Sequence, residues 1–115
     1  MAVSVDFENM RTITGGNREL EQTLLTSFLT MAEGVLAKLQ ASLESGDEII
    51  WREEAHALKG ACLNLGAKPL SALCARAQLE CRAAKNEKMV LLLSIHNEYA
   101  AVQQSIITTM TTTSL

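Results

Sequence analysis

The 115-residue sequence predicts an all-α protein: an antiparallel four-helix bundle with a short extra helix at its N-terminus. Three observations carry that prediction. Apolar residues recur at three- and four-residue spacing almost throughout, and no segment shows the period-2 alternation of a half-buried strand. A single proline interrupts the chain. The amphipathic segments are joined by short links, each needs its apolar face covered, and antiparallel packing of neighbours does this most economically.

The first helix is short: Asp6 is a candidate N-cap for Phe7 to about Ile13, and Gly15-Gly16 breaks the pattern. Asn17 can then cap a long helix reaching about Ser45, with a stripe of Leu20, Leu24, Phe28, Met31, Val35, Leu39 and Leu43. Gly46 suits the position just past a helix end, and Asp47 the next N-cap. The third helix runs from about Glu48 to Leu65 and stops at Gly66. Pro69 suits the first turn of the fourth, although Lys68 stands where a capping Ser, Thr or Asp is expected. Leu70, Leu73, Ala77 and Cys81 mark one side of that helix, which is expected to end near Ala84. Asn86 can cap the last helix, whose stripe is Leu92, Ile95, Tyr99, Val102 and Ile106. The Thr-rich tail has weak helix propensity and is expected to fray. The chain thus reads as one domain over 1–115, with an N-terminal segment 1–16, a bundle 17–107 and a tail 108–115.

Composition narrows the function classes. Apolar residues at 48% and charged residues at 20% suit a globular chain, not a disordered one. Aromatics are only 3%, so the core must be built from Leu, Ile, Val, Ala and Met. A formal charge of -3 lacks the basic footprint of nucleic-acid binding. The start Met1 to Asp6 does not resemble a signal peptide, and the apolar run Met89 to Leu93 is far too short to cross a bilayer. Three irregularly spaced cysteines suit reduced thiols in a cytoplasmic protein better than a disulfide framework.

The third helix carries the candidate chemistry. At about 100° per residue, Trp51, Ala55, Leu58, Cys62 and Leu65 fall in one sector, the buried stripe. His56 lies about 140° from its centre and Gly60 roughly opposite it, with Arg52, Lys59 and Leu63 flanking. The imidazole is therefore expected to face solvent. Exposed histidines as a class titrate near neutrality, so a large share offers a free lone pair to an electrophilic phosphorus. Lys59, one turn on, can screen incoming negative charge, which is much of what phosphoryl transfer requires. Gly60 leaves room for a partner to approach, at a cost of about 1 kcal/mol relative to alanine in a helix. Leu63 gives the same face some apolar docking character.

The run His56-Ala57-Leu58-Lys59-Gly60-Ala61, followed by Leu65-Gly66-Ala67, resembles the signature of the histidine phosphotransfer (HPt) domain family. The resemblance extends over most of the chain, through Gly15-Gly16-Asn17, Phe28-Leu29, Gly46-Asp47 and Leu79-Glu80. It implies a four-helix bundle in which His56 is the phosphoacceptor, Lys59 its charge partner and Gly60 the steric clearance. It also implies a phosphocarrier that passes a phosphoryl group between receiver-domain aspartates through the imidazole Nε2, with no kinase activity or ATP site. The expected partners are receiver domains of a hybrid sensor kinase and a downstream regulator, met by a monomer through Arg52 and Leu63. No nucleic acid, membrane or cofactor of its own is expected; Mg²⁺ belongs to the receiver. Cys62 departs from the family pattern, which commonly has Ser or Ala there. A start at Met and one complete bundle suit a free-standing protein; an excised module of a hybrid sensor kinase and the phosphoacceptor domain of a chemotaxis-type kinase are the alternatives. The rival reading is a helical adaptor that binds partners through the same face without phosphotransfer. A sensor-kinase dimerisation domain fits poorly, because Ala57-Leu58-Lys59-Gly60 lacks the acidic residue and the proline that usually follow its histidine.

Other constellations are set aside. Cys62, Cys74, Cys81, His56 and His96 contain no Cys-x-x-Cys pair, and Cys62 and His56 sit on opposite faces, so the thiols read as core. His96 reads as structural, at the margin of its stripe. Glu53 and Glu54 read as a solvated face, since no Ser or Cys is placed to use a Glu–His base. Gly15-Gly16 is a turn, and Met31, Met89 and Met110 are core filler or tail.

Overall fold

The computed structural model describes residues 3–112 and contains five helices among them: α1 (Glu8–Thr14), α2 (Arg18–Ser45), α3 (Glu48–Leu65), α4 (Lys68–Leu79) and α5 (Lys85–Thr112). α3 packs on α2 and α4, and α5 packs on α4 and closes back onto α2, while the backbones of the diagonal pairs stay apart. This is a square four-helix bundle, with α1 laid across α2 and α3. α2 and α5, 28 residues and so about 42 Å each, set the 47 Å long dimension. None of the described helices is long and apolar enough to cross a membrane.

Local chemistry sets most boundaries. Asn17 Oδ1 accepts from the Leu20 N–H at 3.0 Å, and Asp47 Oδ1 accepts from the Ile50 N–H at 3.0 Å. Gly46 and Gly66 end α2 and α3 in the left-handed conformation, with φ of 78° and 95°. Gly66 is also a crossing point. The Asp6 N–H donates to its carbonyl at 2.9 Å, and a Cβ added at Gly66 would run into the Asp6 carbonyl. That crossing ties the N-terminal segment to the α3–α4 turn, and Val5 and Met10 are buried behind it.

The core is Leu, Ile, Val and Ala around one indole: Trp51 is fully buried and donates its Nε1–H to the Ala77 carbonyl at 2.8 Å. The α3 stripe is the expected one, Trp51, Ala55, Leu58, Cys62 and Leu65. So is that of α5.

Several expectations need correction. Asp6 is not the N-cap of α1; Phe7 holds that position, and Asp6 Oδ1 accepts from the Glu8 N–H one residue further out. On α2, Leu20 and Leu24 are exposed, and the buried line runs Leu25, Phe28, Ala32, Val35, Leu39, Ser42. Consecutive steps of four each rotate about 40° past a full turn, so 20-24-28 drifts off the core while alternating threes and fours stay on it. α4 ends at Leu79 instead of near Ala84, which leaves Cys81 half-buried in the link to α5. α5 begins at Lys85, so Asn86 lies inside it and the Ala84 carbonyl accepts the first bond, from the Lys88 N–H. At its far end α5 continues through Thr112 and buries part of Met110 against the core, so 108–112 is helix and not frayed tail. Residues 113–115 of the expected tail lie outside the described residues. Met89 is exposed, not core filler.

Candidate functional site

The face of α3 opposite its buried stripe carries the predicted residues. His56 is exposed midway along the helix, where no capping group or loop is needed to present it. It lines a shallow cleft of about 300 Å³ with Arg52 and Glu53 from α3 and Gln78 from α4. Its Nδ1 lies 3.3 Å from Gln78 Oε1. An amide oxygen can only accept, so this contact is a hydrogen bond when Nδ1 carries a proton. In the neutral ring that leaves the lone pair on Nε2, the nitrogen away from Gln78.

Lys59, Gly60 and Leu63 follow along the same outward side without lining that cleft. Lys59 is half-buried, its backbone carbonyl takes a 3.3 Å hydrogen bond from Ser71 Oγ, and its ammonium is in neither ion pair of the described residues. A Cβ added at Gly60 would meet nothing within 4 Å. Nothing inside the fold therefore requires glycine there. Gly34, also mid-helix, is equally open, so open space by itself does not single out Gly60. Leu63 is 55% exposed. On the α2 side of α3, α1, α2 and α3 enclose an apolar hollow of about 540 Å³ whose walls include Ile13, Leu24, Phe28 and Ala61.

Gln78 is the residue that sequence reasoning missed. It reaches His56 across the α3–α4 pair, as Ser71 reaches the Lys59 carbonyl, and no spacing along a single helix announces such a contact. The buried Cys62 thiol faces Cys74 in the same way; the neighbouring sulfur and burial push its pKa well above the ordinary thiol range. Cys74 is likewise buried and unoxidised. His96 is exposed, next to Tyr99 in a cleft between α2 and α5. Burial, then the 3.1 Å bond from its hydroxyl to Glu33 Oε2, pushes the Tyr99 pKa up to about 12. Among the described residues no three His, Cys, Asp or Glu side chains are grouped to hold a metal ion.

Comparison with known proteins agrees with this geometry. A family model described as the Hpt domain matches residues 23–105. The chain is similar in structure to histidine-containing phosphotransfer protein B (HptB) from Pseudomonas aeruginosa PAO1, with a TM-score of 0.86 over 96% of this chain and 97% of that one. Sequence identity across that match is 24%, so the likeness establishes the fold. No curated protein matches by sequence.

Proposed function

From the premise that the chain belongs to the Hpt domain family, the histidine phosphotransfer proteins of phosphorelays, we propose that His56 is its phosphoacceptor. The family partners receiver domains of response regulators. In the proposed step the Nε2 lone pair forms a bond to the phosphorus of a receiver aspartyl phosphate. The bond from phosphorus to the carboxylate oxygen breaks, and the aspartate leaves as the free carboxylate. The reverse step on a second receiver discharges the imidazole. The observation that supports this most is the His56–Gln78 contact on an exposed histidine, which engages Nδ1 and leaves Nε2 as the other ring nitrogen to react.

Lys59 would offset charge gathering on the phosphoryl oxygens, and Gly60 would admit the partner's acidic loop. Arg52, at the cleft, and the exposed Leu63 would give the receiver a mixed polar and apolar landing. The receiver would bring the Mg²⁺. A hybrid sensor kinase and a downstream regulator are the proposed donor and acceptor, served in the cytoplasm by a monomer with no kinase or ATP site of its own.

Incubation with a phosphorylated receiver domain tests the assignment. Wild type should take up acid-labile, base-stable label, as an N–P bond requires, and His56→Gln should take up none. Label on His56→Gln at the wild-type rate sinks the proposal. Lys59→Ala should slow transfer with helicity intact.

A further inference from the structure

Lys88 is a charged residue that the histidine face does not put to use. It is 4% exposed, the sole buried Lys, Arg, Asp or Glu among the described residues. Its Nζ sits 4.9 Å from the centre of the Trp51 ring. The ion pairs among the described residues are Lys38–Glu54 and Arg76–Glu80, so no carboxylate lies within ion-pair distance of it. A ring face offsets only part of what burying an ammonium costs. The side chain lines a cleft of about 200 Å³ at the end of the bundle where α2 turns into α3 and α4 into α5.

Lys85, Ser45 and Gly46 share that cleft. So does the start of α5, where Ala84 supplies a carbonyl to Lys88 but has no side chain to cap the N–H groups of Lys85, Asn86 and Glu87. Two carboxylates are also present. Glu44 is held on the α2 side by Gln40 Nε2 at 3.0 Å, and Glu48 stands in the first turn of α3. An anion in contact with Lys88 would supply the missing counter-charge, and the small volume with its rim carboxylates would exclude nucleotides and other polyanions.

We propose that this cleft binds a small oxyanion, a phosphate or a carboxylate, with Lys88 Nζ as the central donor and Lys85 and the first-turn amides of α5 around it. A hydrogen phosphate has an O–H that Glu48 can accept; a carboxylate does not. The site is separate from the His56 cleft, with which it shares no lining residue.

The full chain carries its own reporter, because Trp51 is its only tryptophan and lies under Lys88. Inorganic phosphate and acetate are titrated in parallel at constant ionic strength, reading Trp51 fluorescence and the amide shifts of Gly46, Asn86 and Glu87. A saturable response to one anion is expected. Saturation by phosphate alone assigns the phosphate class, and by acetate alone the carboxylate class. Lys88→Met should weaken binding about tenfold or more, and the exposed Lys85→Gln severalfold, which keeps the test decisive should Lys88→Met fail to fold. The proposal is overturned by a linear response equal to that of chloride, or by variants that titrate like wild type. It also falls if Glu48→Gln moves the Lys88 side-chain resonances in anion-free buffer, since Glu48 is then the resident counter-ion.

Discussion

At the level of single residues, two glycines with the same surroundings separate stability from function. Gly34 and Gly60 both lie inside helices with open space where a Cβ would go. Alanine at either should stabilise the protein by about 1 kcal/mol, measurable as a raised urea midpoint. Only Gly60→Ala should also slow phosphotransfer, because only its methyl would meet the docking receiver. Gln78 separates orientation from chemistry. Gln78→Leu removes the acceptor for Nδ1 and should slow transfer about fivefold, whereas Gln78→Glu keeps an acceptor and should restore most of the rate. The shared outward side of His56, Lys59 and Gly60 was legible in the sequence because they sit on one helix, whose geometry follows from residue spacing. Gln78 was not, because its relation to His56 exists only across two helices.

Among the elements, legibility followed the strength of the stop signals. α3 was readable from end to end: Asp47 caps it, Gly66 ends it, and its buried stripe never strays from one sector. The α4–α5 junction was misread because Arg82, Ala83, Ala84 and Lys85 are all good helix formers, so nothing local announces that α4 stops at Leu79. The upper stripe of α2 was misplaced because Leu20 and Leu24 face solvent and the apolar hollow beside α1, not the bundle axis. Gly66→Ala tests how far the α3–α4 turn depends on its glycine. The left-handed backbone and the Asp6 carbonyl both oppose a side chain, so the cost should be about 2 kcal/mol or more. Thermal melts would show it, and an unchanged Tm would mean that the crossing yields easily.

For the molecule as a whole, the family match begins at residue 23, but the packed structure begins earlier. Val5 and Met10 are buried, and the Asp6 N–H is bonded to the Gly66 carbonyl at the α3–α4 turn. Deleting residues 1–14 should therefore lower stability by about 2–4 kcal/mol, the burial of two apolar side chains less the entropy of ordering them. Chemical unfolding of the shortened chain would measure the loss, and wild-type stability would show the segment to be an ornament. The bundle was legible because four amphipathic helices with short links have few other solutions. The N-terminal crossing was not, because a single backbone hydrogen bond over sixty residues of separation leaves no periodic trace. The placement of His56 on the outer wall bears finally on time. A phosphoryl group there would have no chamber to be shut into, and water would reach it from the moment of loading. How long a message waits would then depend on the durability of a nitrogen–phosphorus bond and on the abundance of listeners, with no door in the protein to open or close.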